Sequence, residues 1–245
     1  MSSIFEIRCF PDDQALCAAA ARDWLTLVQK SSGLHTAALS GGRIAKTFFA
    51  AVADLAKASG ATLANVHFFW SDERCVEPTD PESNFRLAWE NLLRPLGIAP
   101  DKIHRLKGES LPSAAVSEAS HDIRRVVPLD GAGVPVLEMI FLGLGENGHI
   151  ASLMPEAPPE VLESREPYAH VSHSPKPPPD RLTMTYPVLA AAENVWALVA
   201  GAGKEEALRD SLRADGTTPF ARVLRSRRQT LIYTDLNEFA TVRSK

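Results

Sequence analysis

Short apolar runs alternate with longer helical patterns along this chain, and this alternation limits its fold more than any other feature. Apolar runs that end in glycine or polar turns are typical of strands buried on both faces. The longer segments have the spacing of amphipathic helices, with Pro11 just before the first and Pro81 at the start of the third. Strands that alternate with helices form βαβ units, so we predict an α/β fold with a layered, mostly parallel sheet and helices on both faces.

The segment from Pro155 to Asp180 is rich in proline, and we interpret it as an excursion over the surface, either an active-site flap or a passive loop. There is no internal repeat, which predicts a single domain over residues 1–245.

The alternation of apolar runs and helical patterns also places the individual elements. The predicted strands are Ile4–Cys9, Thr36–Ser40, Val66–Trp70, Val136–Leu142, Val195–Ala200 and Gln229–Tyr233. The predicted helices are Asp12–Ser31, Arg43–Ser59, Glu82–Leu93, Ser113–Val126 and Lys204–Arg213.

A glycine-rich turn follows the predicted strand Val136–Leu142 and carries one histidine, His149. Turns after the strands of an α/β sheet are where ligands bind, and glycines there permit positive φ and close backbone approach. A histidine titrates near neutral pH, which suits a general base or acid. The turn therefore predicts a reactive histidine, with a histidine that only caps the turn as the alternative.

The turn also matches a dinucleotide-binding pattern, but its context contradicts that interpretation. Gly143, Gly145 and Gly148 satisfy G-x-G-x-x-G. The fingerprint needs a long helix that opens at its third glycine and an acidic residue about 20 positions later. Pro155 ends any helix soon after the turn. We therefore expect no nicotinamide cofactor.

Polar and cationic groups follow other predicted strands. Ser40-Gly41-Gly42-Arg43 leads into a helix whose N-terminal amides suit a phosphate or an oxyanion, with an ordinary glycine turn as the alternative. Asp72, Glu73 and Arg74 follow the third strand, where the guanidinium can clamp an anion and the two acids can hold it in place or bind sugar hydroxyls, with a solvated charge cluster as the alternative. Lys204 begins a later helix, and Arg181 follows the proline-rich segment. If these groups converge at one sheet edge, they indicate a small anionic substrate.

The overall composition excludes several functional classes. The chain has 245 residues, a formal net charge of −4 and no long run of Lys or Arg, so nothing favours nucleic acid or a membrane surface as a partner. Its three cysteines are widely spaced and imply neither a disulfide framework nor a zinc site. The N-terminus lacks the pattern of a signal peptide, and no segment is apolar enough to span a bilayer. We expect a cytoplasmic protein; the sequence sets no oligomeric state, and a monomer is compatible with it.

Taken together, the motifs resemble those of the 6-phosphogluconolactonase family, in order and over nearly the whole chain. The resemblance implies the modified Rossmann-like fold that the family shares with glucosamine-6-phosphate deaminases, without NAD. It also implies hydrolysis of 6-phosphoglucono-δ-lactone in the oxidative pentose phosphate pathway, with this phosphosugar lactone as the partner. The motifs are Ser40-Gly41-Gly42, Asp72-Glu73-Arg74 with Ser83-Asn84, Gly143-Leu144-Gly145 to Gly148-His149 with Ala151-Ser152-Leu153-Met154-Pro155, Arg181-Leu182-Thr183, and Gly201 to Lys204.

The expected site combines the residue patterns with this resemblance. His149 is the predicted catalytic residue, taking a proton from water and returning it to the leaving ring oxygen. No metal and no cofactor are expected. The residues predicted to bind substrate are Ser40, Gly41, Gly42, Arg43, Asp72, Arg74, Asn147, Arg181 and Lys204.

Two departures from the family pattern lie in this site. Ile44-Ala45 stands where the family usually has Thr-Pro, which removes a hydroxyl near the expected phosphate; Arg43 can compensate. Asn147 stands where an aspartate is usual, which removes a negative charge near His149. Neither change removes the predicted catalytic histidine.

Two other functions remain as alternatives. An aminosugar-6-phosphate deaminase or isomerase also has an Asn-Gly-His turn, but the residues that follow resemble Ile-Ala-Phe-Asn-Glu-Pro, whereas this chain continues to Ala151-Ser152-Leu153-Met154-Pro155. A non-catalytic sugar-phosphate sensor usually carries a helix-turn-helix domain, for which the chain has neither spare length nor a basic patch.

Overall fold

The computed structural model describes residues 4–30 and 33–241. Its largest sheet has six strands, and every neighbouring pair is parallel. This confirms the predicted α/β class with a mostly parallel sheet. The six strands are β1 (Ile4–Cys9), β2 (His35–Leu39), β3 (Val66–Trp70), β5 (Met139–Gly143), β8 (Asn194–Val199) and β9 (Gln229–Thr234). Their spatial order is β1-β9-β8-β5-β2-β3.

Helices flank this sheet and bury their apolar sides against it. The ring of Phe141 on β5 lies 5.0 Å from that of Trp24 and 4.7 Å from that of Phe48, so two helices meet the sheet at one aromatic cluster. The helices are α1 (Asp13–Gln29), α2 (Arg43–Ser59), α3 (Asn84–Ala88), α4 (Pro112–Val126), α5 (Pro159–Leu162), α6 (Tyr186–Ala191), α7 (Glu205–Leu212) and α8 (Pro219–Ser226). A π-helical turn, Trp89–Leu93, extends α3, and 3₁₀ turns lie at Pro100–Lys102 and Asn237–Phe239.

A second, three-stranded antiparallel sheet stands beside the main one. Its strands are β4 (Asp72–Arg74), β6 (Tyr168–Val171) and β7 (Arg181–Met184), in the order β4-β7-β6. The sequence pattern did not predict these strands, because β4 is short and polar and β6 lies within a proline-rich segment. Pairing with β7 places Asp72 opposite Thr183 and Arg74 opposite Arg181.

The prediction that residues 155–180 pass over the surface is therefore wrong for the part that holds α5 and β6. Val161, Tyr168 and Val171 are buried, and the Tyr168 hydroxyl donates a hydrogen bond to the carbonyl oxygen of Trp70 at 3.1 Å. Apolar residues spaced among prolines gave no clear period, although they supply part of the core. The stretch between β6 and β7 remains largely a loop at the surface, as do short turns on either side of α5.

Several predicted boundaries shift for local reasons. α1 begins after Asp12, whose carboxylate accepts a hydrogen bond from the amide of Ala15 at 2.8 Å and caps the helix. The predicted end of this helix, Ser31, lies outside the described residues. The predicted helix Glu82–Leu93 starts only at Asn84, because Ser83 is its N-cap. α6 and α8 were not predicted.

No helix in residues 4–30 and 33–241 combines the length and the apolar character needed to span a bilayer.

Candidate active site

A cavity of about 300 Å³ lies at the carboxyl ends of the parallel strands. The turns after β2 and β5 both line it, and these adjacent strands are where the strand order changes direction. Ligands of open α/β sheets bind at such a switch point. The lining residues are Ser40, Gly41, Gly42, Arg43, Ile44, Asp72, Arg74, Asn84, Gly143, Leu144, Gly145, Glu146, His149, Ala151, Lys176, Pro177, Arg181 and Lys204.

Nearly every residue predicted for the site thus lies around one cavity. The exception is Asn147, which does not line the cavity and instead contacts the ring of His149. A larger cavity of about 570 Å³ lies beside Phe85 and Trp89 and is lined by none of the predicted site residues.

The turn after β5 is closed on itself, which fixes His149. The Gly145 amide donates to the carbonyl oxygen of His149, and the Gly148 amide donates to that of Gly145, both at 2.9 Å. A Cβ on Gly145 would lie 1.9 Å from Cε1 of the His149 ring, so only glycine allows the ring this close to the backbone. Gly148 has a φ of +77°, which also favours glycine.

Asn147 selects the tautomer of His149. Its side-chain oxygen accepts a hydrogen bond from the ring Nδ1 at 2.5 Å and a longer one from the His149 amide at 3.3 Å. Because Nδ1 carries the proton in this bond, Nε2 keeps its lone pair. No hydrogen bond in the described part of the chain uses Nε2. This nitrogen is therefore available to accept a proton.

The surroundings of His149 keep the ring neutral. Burial is the main cause that lowers its pKa, to about 4, and the positive charge of Lys176 is the next. Arg181 and Lys204 lower the pKa further, whereas Asp72 opposes them. At neutral pH the imidazole is thus a base and not an acid.

Five cationic side chains line the cavity, and two of them stand beside the N-termini of helices. Arg43 begins α2 and donates to the Asp13 carboxylate at 2.6 Å and to the Ala200 carbonyl oxygen at 3.3 Å. Lys204 is the N-cap of α7, and burial, followed by the charge of Arg43, lowers the pKa of its ammonium group. The N-cap of α2 is Gly42, which has no side chain to cap the helix amides. This end of the cavity therefore offers helix N–H groups as well as charge.

The other cations come from the small antiparallel sheet and the loop next to it. Arg74 donates a hydrogen bond from Nη1 to the Glu82 carbonyl oxygen at 2.6 Å, while its buried Nε has no hydrogen-bond partner among the described residues. Arg181 is only 4 % exposed and donates to the carbonyl oxygens of Lys176 and Pro178 at 2.9 and 3.1 Å. Arg181 thus holds the loop that brings Lys176 to the cavity.

A network of hydroxyls and amides fixes the acid of the site. The Asp72 carboxylate accepts a hydrogen bond from Ser152 Oγ at 2.8 Å, and its carbonyl oxygen accepts one from Asn84 Nδ2 at 2.9 Å. Ser40 Oγ lies 2.8 Å from Ser71 Oγ. Asn84 also packs against Gly41, where a Cβ would lie 1.8 Å from the Asn84 Oδ1. These bonds place Asp72 at the cavity wall with a fixed orientation.

Lys176 and Asn84 are among the lining residues that were not sequence-based candidates. Lys176 lies in the exposed loop between β6 and β7, and its carbonyl oxygen accepts a hydrogen bond from Arg181, which holds this part of the loop in place. Asn84 did have a signal, because it belongs to the Ser83-Asn84 pair that contributed to the family resemblance.

Residues 4–30 and 33–241 contain no group of three or more His, Cys, Asp or Glu side chains that could hold a metal ion.

Comparison with known proteins identifies the family. The family described as glucosamine-6-phosphate isomerases/6-phosphogluconolactonase matches residues 11–233. A 6-phosphogluconolactonase of Streptomyces coelicolor is 32 % identical over 88 % of this chain and 86 % of its own length. The 6-phosphogluconolactonase of Mycobacterium tuberculosis is 35 % identical over 85 % of both chains. A solved structure described as devB protein superposes with a TM-score of 0.88 at 31 % identity, over 98 % of this chain and 100 % of that one. The chain therefore belongs to the glucosamine-6-phosphate isomerase/6-phosphogluconolactonase family.

Proposed function

We propose that this chain hydrolyses 6-phosphoglucono-δ-lactone to 6-phosphogluconate, with His149 acting on water. This is the lactone-opening step of the oxidative pentose phosphate pathway. Two curated relatives that match 88 % and 85 % of this chain are 6-phosphogluconolactonases. The observation that carries the mechanism is a neutral histidine, fixed through Nδ1 by Asn147, in a cavity lined by five cations.

The reaction needs one base and then one acid. In the proposed sequence, Nε2 of His149 takes a proton from a water molecule, whose oxygen attacks the lactone carbonyl carbon. The tetrahedral intermediate then collapses: the bond from the carbonyl carbon to the ring oxygen breaks, and the imidazolium returns its proton to that oxygen. The product is an open-chain acid with a free hydroxyl. No bond to the protein forms.

Substrate binding would make His149 a stronger base. The charges of Lys176, Arg181 and Lys204 lower its pKa, after burial. A bound phosphate brings negative charge among these cations and offsets their effect on the imidazolium. The pKa of His149 then rises toward the range in which a general base works best. The same cations thus bind the phosphate and couple its presence to the chemistry.

The phosphate is expected among Arg43, Arg74, Arg181 and Lys204, and Lys176 lines the same cavity. Charge-assisted hydrogen bonds from these groups are each worth roughly 1.5–3 kcal/mol. The uncapped amides at the start of α2 favour an anion as well. Gly42 leaves room for an anion close to the backbone, because a Cβ there would meet no atom within 4 Å, while Asp72 remains to bind sugar hydroxyls.

The test compares freshly generated 6-phosphogluconolactone with unphosphorylated gluconolactone. We expect kcat/KM to fall by at least about tenfold without the phosphate, because several charged contacts are lost. Arg74→Ala should reduce turnover of the phosphorylated lactone far more than that of the unphosphorylated one. Equal use of the two lactones by the unmodified protein would overturn the proposed phosphate site.

Assays on the same protein preparation distinguish the two alternative functions. Release of ammonia from glucosamine 6-phosphate would favour the deaminase branch of the family. Tight binding of 6-phosphogluconate without turnover of any lactone would favour a sensor. We also propose a cytoplasmic setting, since Cys9, Cys17 and Cys75 are free thiols, as expected in a reducing compartment.

A further inference from the structure

Glu73 is a buried carboxylate directly behind the cavity. It lies on β4 between Asp72 and Arg74, which both line the cavity, while Glu73 does not. Neighbouring side chains of a strand point to opposite faces, so Glu73 faces away from the space that substrate would occupy. It is only 2 % exposed, and no ion pair within residues 4–30 and 33–241 neutralises it.

Four hydrogen bonds hold this carboxylate, from the amide of Arg74 on β4 and from residues at the start of α3. Oε1 accepts from the amides of Arg74 and Asn84 at 2.8 and 2.7 Å. Oε2 accepts from the amide of Phe85 at 2.7 Å and from Ser83 Oγ at 3.1 Å. One carboxylate therefore ties β4 to the start of α3 and closes the base of the loop between them.

Two of these donors belong to residues that line the cavity. The single atom Oε1 fixes the backbones of both Arg74 and Asn84. From there, Asn84 reaches the Asp72 carbonyl oxygen and packs against Gly41, and Arg74 reaches the Glu82 carbonyl oxygen. A shift of Glu73 would therefore displace an arginine and an amide of the site together.

The carboxylate and its donors depend on each other. Burial raises the pKa of Glu73 to about 7, and the amide donors of Asn84, Phe85 and Arg74 act against that rise. Burial of a carboxylate without a cation is costly unless hydrogen bonds satisfy it. Here the hydrogen bonds to Glu73 stabilise both the carboxylate charge and the cavity wall formed by β4 and the start of α3.

We propose that Glu73 is a positioning residue for recognition of the substrate's anionic group, acting through Arg74 and Asn84 without touching substrate. The inference rests on the proposed function in one respect, namely that Arg74 binds the phosphate. His149 lies on the separate turn after β5, so its chemistry does not depend on Glu73.

The test is Glu73→Gln, which keeps the shape but replaces an accepting oxygen with an NH₂ group that faces amide donors. We expect KM for the phosphorylated lactone to rise at least about tenfold, since a charge-assisted contact is misplaced, while kcat changes by less than about threefold. The kcat/KM for unphosphorylated gluconolactone should stay within about twofold. Glu90→Gln is the matched control, because Glu90 is exposed on the π-helical turn that extends α3 and, among the described residues, its one ion pair is with Arg86.

A second measurement reads the geometry without activity. In Glu73→Gln, the amide protons of Asn84 and Phe85 should shift upfield in NMR spectra and exchange faster with solvent, because their acceptor has lost its charge. If Glu73→Gln proves unstable, Ser83→Ala removes one of the four donors and should raise KM in the same direction by a smaller factor. In the Arg74→Ala background, Glu73→Gln should add little, because the two act through one side chain.

Several results would overturn the inference. Equal losses on both lactones would mean that Glu73 only supports the fold, and an unchanged KM would remove any role. Unchanged amide shifts would also contradict it, whatever the activity. Failure of the proposed function looks different: Arg74→Ala would then leave the preference for the phosphorylated lactone intact, while the amide shifts of Glu73→Gln still appear.

Discussion

Replacing His149 tests the proposed chemistry at the scale of one residue. His149→Ala removes the only ring nitrogen offered to water in the described cavity, so we expect kcat to fall by about 10²- to 10⁴-fold. Affinity for 6-phosphogluconate, measured by calorimetry, should change little because the cations remain. Near-normal turnover by His149→Ala would remove the histidine from the mechanism.

Asn147 controls how basic that ring is. Its amide oxygen binds Nδ1 without a negative charge, and the pKa of His149 is lowered to about 4, chiefly by burial. Asn147→Asp puts a carboxylate at the same place, which stabilises the imidazolium and should raise the pKa. As the pH is lowered, protonation of His149 should then abolish the activity of Asn147→Asp at a higher pH than that of the unmodified protein. NMR titration of the ring in both proteins checks the direction, and a lower pKa in Asn147→Asp would contradict it.

The sequence predicted the chemistry of single residues better than their arrangement. Arg43, Arg74 and Lys204 were found because each follows a predicted strand or begins a predicted helix, and parallel strands bring such positions to one edge. Arg181 was found from its position after the proline-rich segment. Lys176 could not be found this way, since the pairing of β6 with β7 brings it to the cavity. The contact between Asn147 and the His149 ring depends on side-chain geometry within the turn, which no residue pattern specifies.

At the scale of elements, a chain of hydrogen bonds ties the edge strand β3 to α4. Lys102 Nζ lies 3.0 Å from His67 Nε2, His67 Nδ1 lies 2.8 Å from His104 Nε2, and His104 Nδ1 lies 2.5 Å from Asp122 Oδ2. If each group donates to the next, both rings are neutral and each has one defined tautomer. Protonation of His67 would break the bond that it accepts from Lys102.

The hydrogen bonds around His67 predict how the stability of the protein depends on pH. Burial and then the charge of Lys102 and the proximity of His104 lower the pKa of His67, while Asp101 and Asp122 act in the opposite direction. The unfolded chain therefore binds a proton at this histidine more readily than the folded one, so the free energy of unfolding falls as pH drops below about 6.5. His67→Gln should flatten that slope in urea denaturation between pH 7.5 and 5.5. His121→Gln, at an exposed position, is the control; a slope unchanged by His67→Gln would contradict the assignment.

Elements with a strong period were predictable, and those defined by partners were not. β1, β3 and α2 have the predicted bounds because their apolar spacing alone specifies them. β4 is a strand only because β7 lies beside it, since Asp72-Glu73-Arg74 has no strand pattern of its own. The short helices α6 and α8 each hold a proline in the first turn, and isolated prolines are equally typical of loops.

At the scale of the whole molecule, the mechanism requires only protein groups and water. We expect activity to survive exhaustive dialysis against a chelator, because His149 generates the nucleophile and cationic side chains neutralise the phosphate. Assay of the dialysed protein, with and without added divalent ions, is the measurement. Activity that vanished and returned only with a divalent ion would replace this scheme with metal-assisted hydrolysis.

The pairing of β1 with β9 has a consequence for synthesis of the chain. Ile4–Cys9 lies parallel to Gln229–Thr234, so β1 leaves the ribosome long before its neighbour in the sheet, β9, has been made. Until then it is an unpaired edge, the kind of segment on which nascent chains associate wrongly. Glu6 and Arg8 interrupt its apolar residues with charge and reduce that risk. The sheet that carries the site thus gains this edge only after β9 has been made.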